Sequence, residues 1–150
     1  MPIRRSLTAL AVAAGLLLPG LLLPPAARAQ DAAPKIGLEL NRLEARDGGT
    51  CRVWLLLKNP AETAVDPLRL DLLVFGKDGV ITRRLALDLG PLPQGKTLAR
   101  IFDLEGQPCD GVGSLLMNDL LACGASAEAR NACLPRLSLS SRVAGVSFDK

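Results

Sequence analysis

Histidine is missing from this 150-residue chain, and with it the commonest general base and metal ligand. Hydrolases built on the usual serine or cysteine triad are thereby excluded. Close cysteine pairs are missing as well: Cys51, Cys109, Cys123 and Cys133 stand 58, 14 and 10 residues apart. Structural zinc sites and thiol redox motifs both use pairs only a few residues apart, so no metal or cofactor is expected. There is no cluster of Lys or Arg. The formal charge of +3 lies wholly in Arg4, Arg5 and Arg28, so the chain from Gln30 onward carries 15 basic and 15 acidic residues. Without a net positive field, binding to nucleic acid or an anionic lipid surface is not expected.

The longest apolar run, Leu7 to Leu23, is not an unbroken one. Pro19 and Gly20 interrupt it and Pro24-Pro25 follow, whereas a membrane-spanning helix needs about 20 continuous apolar residues. Arg4-Arg5 before this run and Ala27-Arg28-Ala29 after it instead make residues 1–29 a cleaved export signal, with cleavage before Gln30. The Arg4-Arg5-Ser6-Leu7 start fits a twin-arginine signal and also fits an ordinary basic leader of the Sec type. No cysteine lies near the cleavage point, which excludes a lipoprotein anchor. No stable membrane insertion is expected after cleavage. Residues 30–150 then form one domain of ordinary size. All four cysteines lie in this exported part, where an oxidising compartment favours two disulfides.

Alternation organises the rest of the chain. Ile36, Leu38 and Leu40 share a face of one strand. Arg46-Asp47-Gly48-Gly49 makes a turn, and Cys51, Val53, Leu55 and Leu57 share a face of the next. Trp54 and Leu56 occupy that strand's outward set, so that face is expected to be partly covered too. Asn59-Pro60 ends the strand, since proline has no amide hydrogen for the ladder. From Leu68 to Leu104 three apolar runs read as three consecutive antiparallel strands, at Leu68 to Phe75, Val80 to Leu89 and Lys96 to Leu104. Gly76-Lys77-Asp78-Gly79 is a hairpin signal between the first two. Arg83 breaks the face formed by Ile81, Leu85, Leu87 and Leu89, and a bulge or a sheet edge would account for it.

Beyond Gly106, Val112, Leu115, Leu116, Leu120 and Leu121 fit a buried strand over Gly113 to Met117 with a turn at Asn118-Asp119. They also fit one short helix near 112–122. Cys123 to Cys133 encloses a small polar loop, Leu137 and Leu139 alternate with serines, and Val143 to Phe148 forms a last extended segment. Turn signals at short, regular intervals predict an all-β fold, an immunoglobulin-like Greek-key sandwich of about seven strands. The second and fifth strands of such a sandwich are antiparallel neighbours. Cys51 begins the second and Cys109 follows the fifth, so the expected pairs are Cys51 with Cys109 and Cys123 with Cys133.

Gly90 and Gly95-Lys96-Thr97 match the letters of a phosphate-binding loop, G-x-x-x-x-G-K-[ST]. Pro91 and Pro93 remove two of the amides such a loop needs, and the alternation of Leu98, Arg100, Phe102 and Leu104 predicts a strand where the motif requires a helix. Asp71, Asp88, Asp103 and Asp110 are the available carboxylates for acid/base work, and nothing in the spacing brings two of them into one cleft.

The segments C-R-V-W-L-L-L-K-N-P, L-D-L-L-V-F-G-K-D-G-V-I, L-G-P-L-P-Q-G-K-T and F-D-L-E-G, covering about half the chain, resemble small exported bacterial proteins labelled by a twin-arginine-like signal. Asp-Gly at the end of one strand followed by Leu92-Pro93-Gln94-Gly95-Lys96 resembles the wider immunoglobulin-like pattern. Gln94 departs from that pattern, and Trp54, three residues after Cys51, is not the tryptophan of antibody domains. The resemblance implies a periplasmic domain without assigned activity that accompanies proton-driven envelope energising systems. A non-catalytic domain that binds another envelope protein is therefore the expectation, with Trp54 and Leu56 as its interaction patch or an exposed edge strand as its docking line. The alternatives are a thiol- or metal-dependent protein using Cys123 and Cys133, and a small-ligand binder.

Overall fold

Among the described residues these patterns give eight strands and one short α-helix. A computed structural model describes residues 34–150; the expected export signal and its expected cleavage point lie outside the described residues. The strands are β1 (Ile36–Arg46), β2 (Thr50–Lys58), β3 (Leu68–Gly76), β4 (Ile81–Asp88), β5 (Thr97–Leu104), β6 (Val112–Cys123), β7 (Leu137–Ser141) and β8 (Ser147–Asp149), with one short helix, α1 (Ala127–Cys133). They form two four-stranded sheets, ordered β5-β2-β1-β7 and β4-β3-β6-β8. The fold is an all-β sandwich. β7 runs parallel to β1 and β8 parallel to β6, while the other ladders are antiparallel.

The core lies between the sheets and consists almost wholly of aliphatic side chains. Ile36, Leu38 and Leu40 of β1 and Val53, Leu55 and Leu57 of β2 are fully buried, and so are Leu68, Leu70, Leu72 and Val74 of β3. Each such side chain contributes roughly 2 kcal/mol by leaving water. Because side chains alternate along a strand, fixing this inner set also fixes which residues the outer faces carry.

The chain from Leu68 to Leu104 does not form three neighbouring strands. β3 and β4 form the expected hairpin, with Gly79 at φ 78° and its amide bonded to the Gly76 carbonyl at 3.0 Å. β5 instead crosses to the other sheet and pairs with β2, from Cys51 opposite Leu104 to Lys58 opposite Thr97. The crossing is held at its base by buried Asn59. Its Nδ2 donates to the carbonyls of Thr63 (2.8 Å) and Leu92 (3.2 Å), and its Oδ1 accepts from the amide of Ala61 (3.1 Å). Val65 and Leu92 exchange backbone hydrogen bonds at 3.0 and 2.8 Å, so the two loops of the crossing are tied together. The Gly90–Thr97 segment therefore offers carbonyls to its neighbour and runs into a strand, as the prolines and the alternation predicted.

The edge strands explain Arg83. A register shift between Val74 and Phe75 takes Ile81 out of the leucine face and leaves it 52% exposed, while Arg83 remains opposite inward Val74. Its Nη2 donates to the carbonyl of Glu105, just past β5. Arg100 on β5 stands opposite inward Leu55 and donates to the carbonyls of Leu89 (2.7 Å) and Pro91 (3.2 Å), just past β4. Two inward-pointing arginines thus close the same flank of the sandwich from opposite edges. This is a recognised way of making a sheet edge unfit to pair with another chain.

β6 settles the ambiguity over Val112 to Cys123 as one strand, with no turn at Asn118-Asp119 and no helix near 112–122. Three register shifts against β3 give its buried positions, Val112, Leu115, Met117, Leu120 and Cys123, spacings that imitate a helical stripe. A Cβ on Gly113 would stand 2.5 Å from the Gly76 carbonyl oxygen, so the close approach of β6 to the hairpin requires glycine there. The helix lies elsewhere, in the Cys123–Cys133 segment expected to be a loop. Ser126 caps it, accepting from the amide of Ala129 at 3.2 Å. The last extended segment is shorter than predicted, with strand pairing confined to Ser147–Asp149.

Disulfides join Cys51 to Cys109 and Cys123 to Cys133, leaving no free cysteine. Two bridges, three of whose four cysteines are buried, imply an oxidising, extracytoplasmic compartment. Among the described residues no helix is long and apolar enough to cross a membrane.

Candidate functional site: the outer face of the β5-β2-β1-β7 sheet

Trp54 and Leu56 project from β2 on the face away from the core, and both are half-buried. The β2–β5 register brings Ile101 opposite Trp54 and Ala99 opposite Leu56. Ile101 is 47% exposed. The outcome is an apolar strip across two strands, of which sequence spacing revealed one half.

Trp54 is held in place from the other side. A register shift between Leu40 and Arg42 inserts Asn41 into β1 and sets Arg42 opposite the tryptophan. The indole N–H donates to Glu44 Oε2 at 3.0 Å, which satisfies the only polar atom of the ring and fixes its orientation. That bond, with Arg42 and Arg46 at 3.8 and 3.2 Å, holds the Glu44 carboxyl below the ordinary glutamate range against the opposing effect of desolvation.

Ion pairs surround the strip. Arg52 and Asp103, neighbours across β2 and β5, form a bidentate pair at 2.8 and 2.9 Å. Glu39 accepts from Asn41 at 2.8 Å and from Arg142 at 3.0 Å, and both bonds lower its pKa. A shallow polar groove of about 430 Å³ lies beside Arg52 and Asp103, where Arg46, Asp47, Glu105 and Gly106 close one end of the sandwich.

The carboxylates considered for acid/base work each have a separate position. Asp88 faces Arg69 at 3.7 Å, Asp103 is held by Arg52, and Asp110 sits in the short turn after Cys109. Asp71 is the buried one, on the outer face of the second sheet. It accepts two hydrogen bonds from Arg84 at 2.9 Å and one from Asn118 at 2.6 Å. Those bonds, Arg84 first, hold its pKa below the ordinary aspartate value despite desolvation. Among the described residues no group of three or more acidic or cysteine side chains is placed to hold a metal ion.

A depressed folded-state pKa adds stability above the unfolded value and loses it as pH falls through the folded one. Asp71 should therefore contribute fully at neutral pH and lose that contribution progressively as pH falls below about 4. In thermal melts from pH 7 down to pH 2.5, the wild type should lose melting temperature steeply below pH 4, and Asp71→Asn should flatten that decline. Parallel curves for the two proteins would show that this carboxylate does not govern acid stability.

The sulfurs that the alternative thiol or metal reading would use, Cys123 and Cys133, are 3% and 4% exposed and bonded to each other. Compared with known proteins, the chain matches no family model, no curated protein and no solved structure.

Proposed function

We propose that this is a periplasmic, non-catalytic domain of the bacterial envelope that binds another envelope protein through the outer face of the β5-β2-β1-β7 sheet. The observation that carries this reading is the strip of Trp54, Leu56, Ala99 and Ile101, a partly exposed apolar centre flanked by ion pairs. Interfaces have this composition: aromatic and aliphatic anchors at the centre, arginine and polar groups at the rim. Trp54 enters such a contact already oriented by Glu44, so little side-chain entropy remains to be lost on binding.

The other route, pairing along an exposed edge strand, is the weaker one, since Arg83 and Arg100 close the β4/β5 flank. Thiol or metal chemistry would require Cys123 and Cys133 to be free, and they are bonded. The resemblance to small exported proteins directs the search for partners first to proton-driven envelope energising systems.

Cross-linking the natively exported protein in its own envelope, followed by purification, tests the reading. One or two recurrent envelope proteins should accompany the wild type. Trp54→Ser should weaken that association about thirtyfold, the loss of a central anchor worth ~2 kcal/mol. Ile101→Ser, at an exposed position, should weaken it with no change in melting temperature. The same partners in the same yield from both variants would remove this face as the dock.

A further inference from the structure

Both bridges join cysteines that are consecutive in the sequence, Cys51 with Cys109 and Cys123 with Cys133. A chain that crosses a membrane from its amino terminus delivers each cysteine's partner next, so no wrong pair has to form and be undone. When Cys109 emerges, β6, β7 and β8 have yet to follow. β3 then lacks its neighbour β6 and β1 its neighbour β7, and the core that finally encloses Cys51 is still open.

The finished fold admits no oxidant to the second pair. A bridge is inserted when a thiolate attacks a disulfide of the oxidant, which stays attached as a mixed disulfide until the second cysteine displaces it. Cys123 and Cys133 are both buried in the core, so neither can hold a second protein in that way. In the first pair Cys51 is fully buried and Cys109 half-buried. The two bridges together also supply a share of stability comparable with the whole margin of an ordinary domain, so the reduced chain lacks a durable fold.

From the burial and the pairing order we infer that the chain leaves the cytoplasm unfolded, by the general secretory route, and is there the substrate of a protein dithiol oxidase and of no disulfide isomerase. The twin-arginine route, which Arg4-Arg5 also fits, carries chains already folded. The cytoplasm keeps thiols reduced, so a cargo folded there would arrive with Cys123 and Cys133 closed off and unoxidised. On the inferred route each bridge forms in two exchanges. The thiolate of one cysteine attacks the oxidant's disulfide and expels one of its thiolates; the thiolate of the next cysteine attacks the mixed disulfide and expels the other. Two electrons pass from the chain to the oxidant, the two thiol protons end on its thiolates, and it leaves as a dithiol. The inference rests on the export of the chain and is independent of which face binds a partner.

Pulse-labelled bacterial cells making the full chain with its own amino terminus supply the test, with thiols trapped by acid and then tagged with a polymer-linked maleimide that separates reduced from bridged forms on a gel. Export with both bridges formed should persist without the twin-arginine translocase, stop when the Sec motor is inhibited, and be unchanged without the isomerase. Without the oxidase the exported chain should carry four reactive thiols, and its level should fall severalfold. Export that stops without the twin-arginine translocase and persists with the Sec motor inhibited overturns the route. Bridges that need the isomerase, or that form in full without the oxidase, overturn the substrate assignment. In vitro, purified protein reduced in urea and returned to buffer should show all four thiols reactive. A reduced chain that folds and then accepts both bridges from the purified oxidase overturns the need for an open chain.

Discussion

Replacing Cys51 and Cys109 together by alanine should lower stability by about 4 kcal/mol, the chain-entropy value for a bridge closing a loop of this length. The bridge spans 58 residues and joins the start of β2 to the turn that follows β5. β2 and β5 are neighbours in the folded sheet, but the sandwich can assemble only after the chain between them has visited the other sheet and returned. The bridge removes most of that search from the unfolded ensemble. For a domain of this size, 4 kcal/mol corresponds to a fall in melting temperature of roughly 15 °C. The second bridge spans only 10 residues, and its double alanine variant should lose nearer ~3 kcal/mol. Melting curves of the two variants provide the check. Equal losses would mean that loop length is not the governing quantity and that packing around the sulfurs decides instead.

Asn59→Ala should cost about 3 kcal/mol, an effect large for a single polar side chain and traceable to what it leaves behind. Asn59 is fully buried, and its amide is matched to carbonyls of Thr63 and Leu92 and to the amide of Ala61. Alanine would abandon the Thr63 carbonyl and the Ala61 amide in a junction between two loops, and would leave the Leu92 carbonyl with the Val65 amide alone. Asn59→Asp should be worse, although it is the closer isostere. It keeps an acceptor for Ala61 but turns the donor end into oxygen facing carbonyl oxygens, and it brings a charge with no partner. Urea denaturation should rank the proteins wild type, Asn59→Ala, Asn59→Asp in falling midpoint. An alanine variant within 1 kcal/mol of wild type, roughly, would show that water satisfies the junction.

These two positions illustrate how differently parts of the molecule could be read from the sequence. Cys51 and its strand were legible because β2 alternates cleanly from Cys51 to Leu57, as β1 does from Ile36 to Leu40. Asn59 was legible only as a strand terminator. Its role in the crossing depends on Thr63 and Leu92, which local pattern does not bring together. For the same reason β5 could be read as a strand but not assigned to its sheet. β6 resisted because each register shift moves the buried set by one position, so that the period of two never runs long enough to exclude a helix. Helix α1 did leave a signal, Ser126 followed by Ala127, Glu128 and Ala129, a cap before good helix formers, obscured by the polar character of the segment.

The candidate site divides along the same line. Trp54 and Leu56 were legible as an outward pair because alternation reports facing directly. Ile101 and Ala99 join them only through the β2–β5 register, a consequence of the unexpected crossing.

Arg83 and Arg100 do modest work for a single copy of this molecule, because a partly hydrated guanidinium bonded to a carbonyl contributes little net free energy. Their larger effect is on the second-order process, the meeting of two copies. Adding a strand at this flank would strip water from guanidiniums that a neighbouring strand cannot replace, and that penalty recurs with every copy added. The concentration at which the domain stays dispersed is therefore set at a place that contributes almost nothing to how firmly it folds. A chain that lost both arginines would melt at nearly the same temperature and would differ in how crowded it could be before it precipitated.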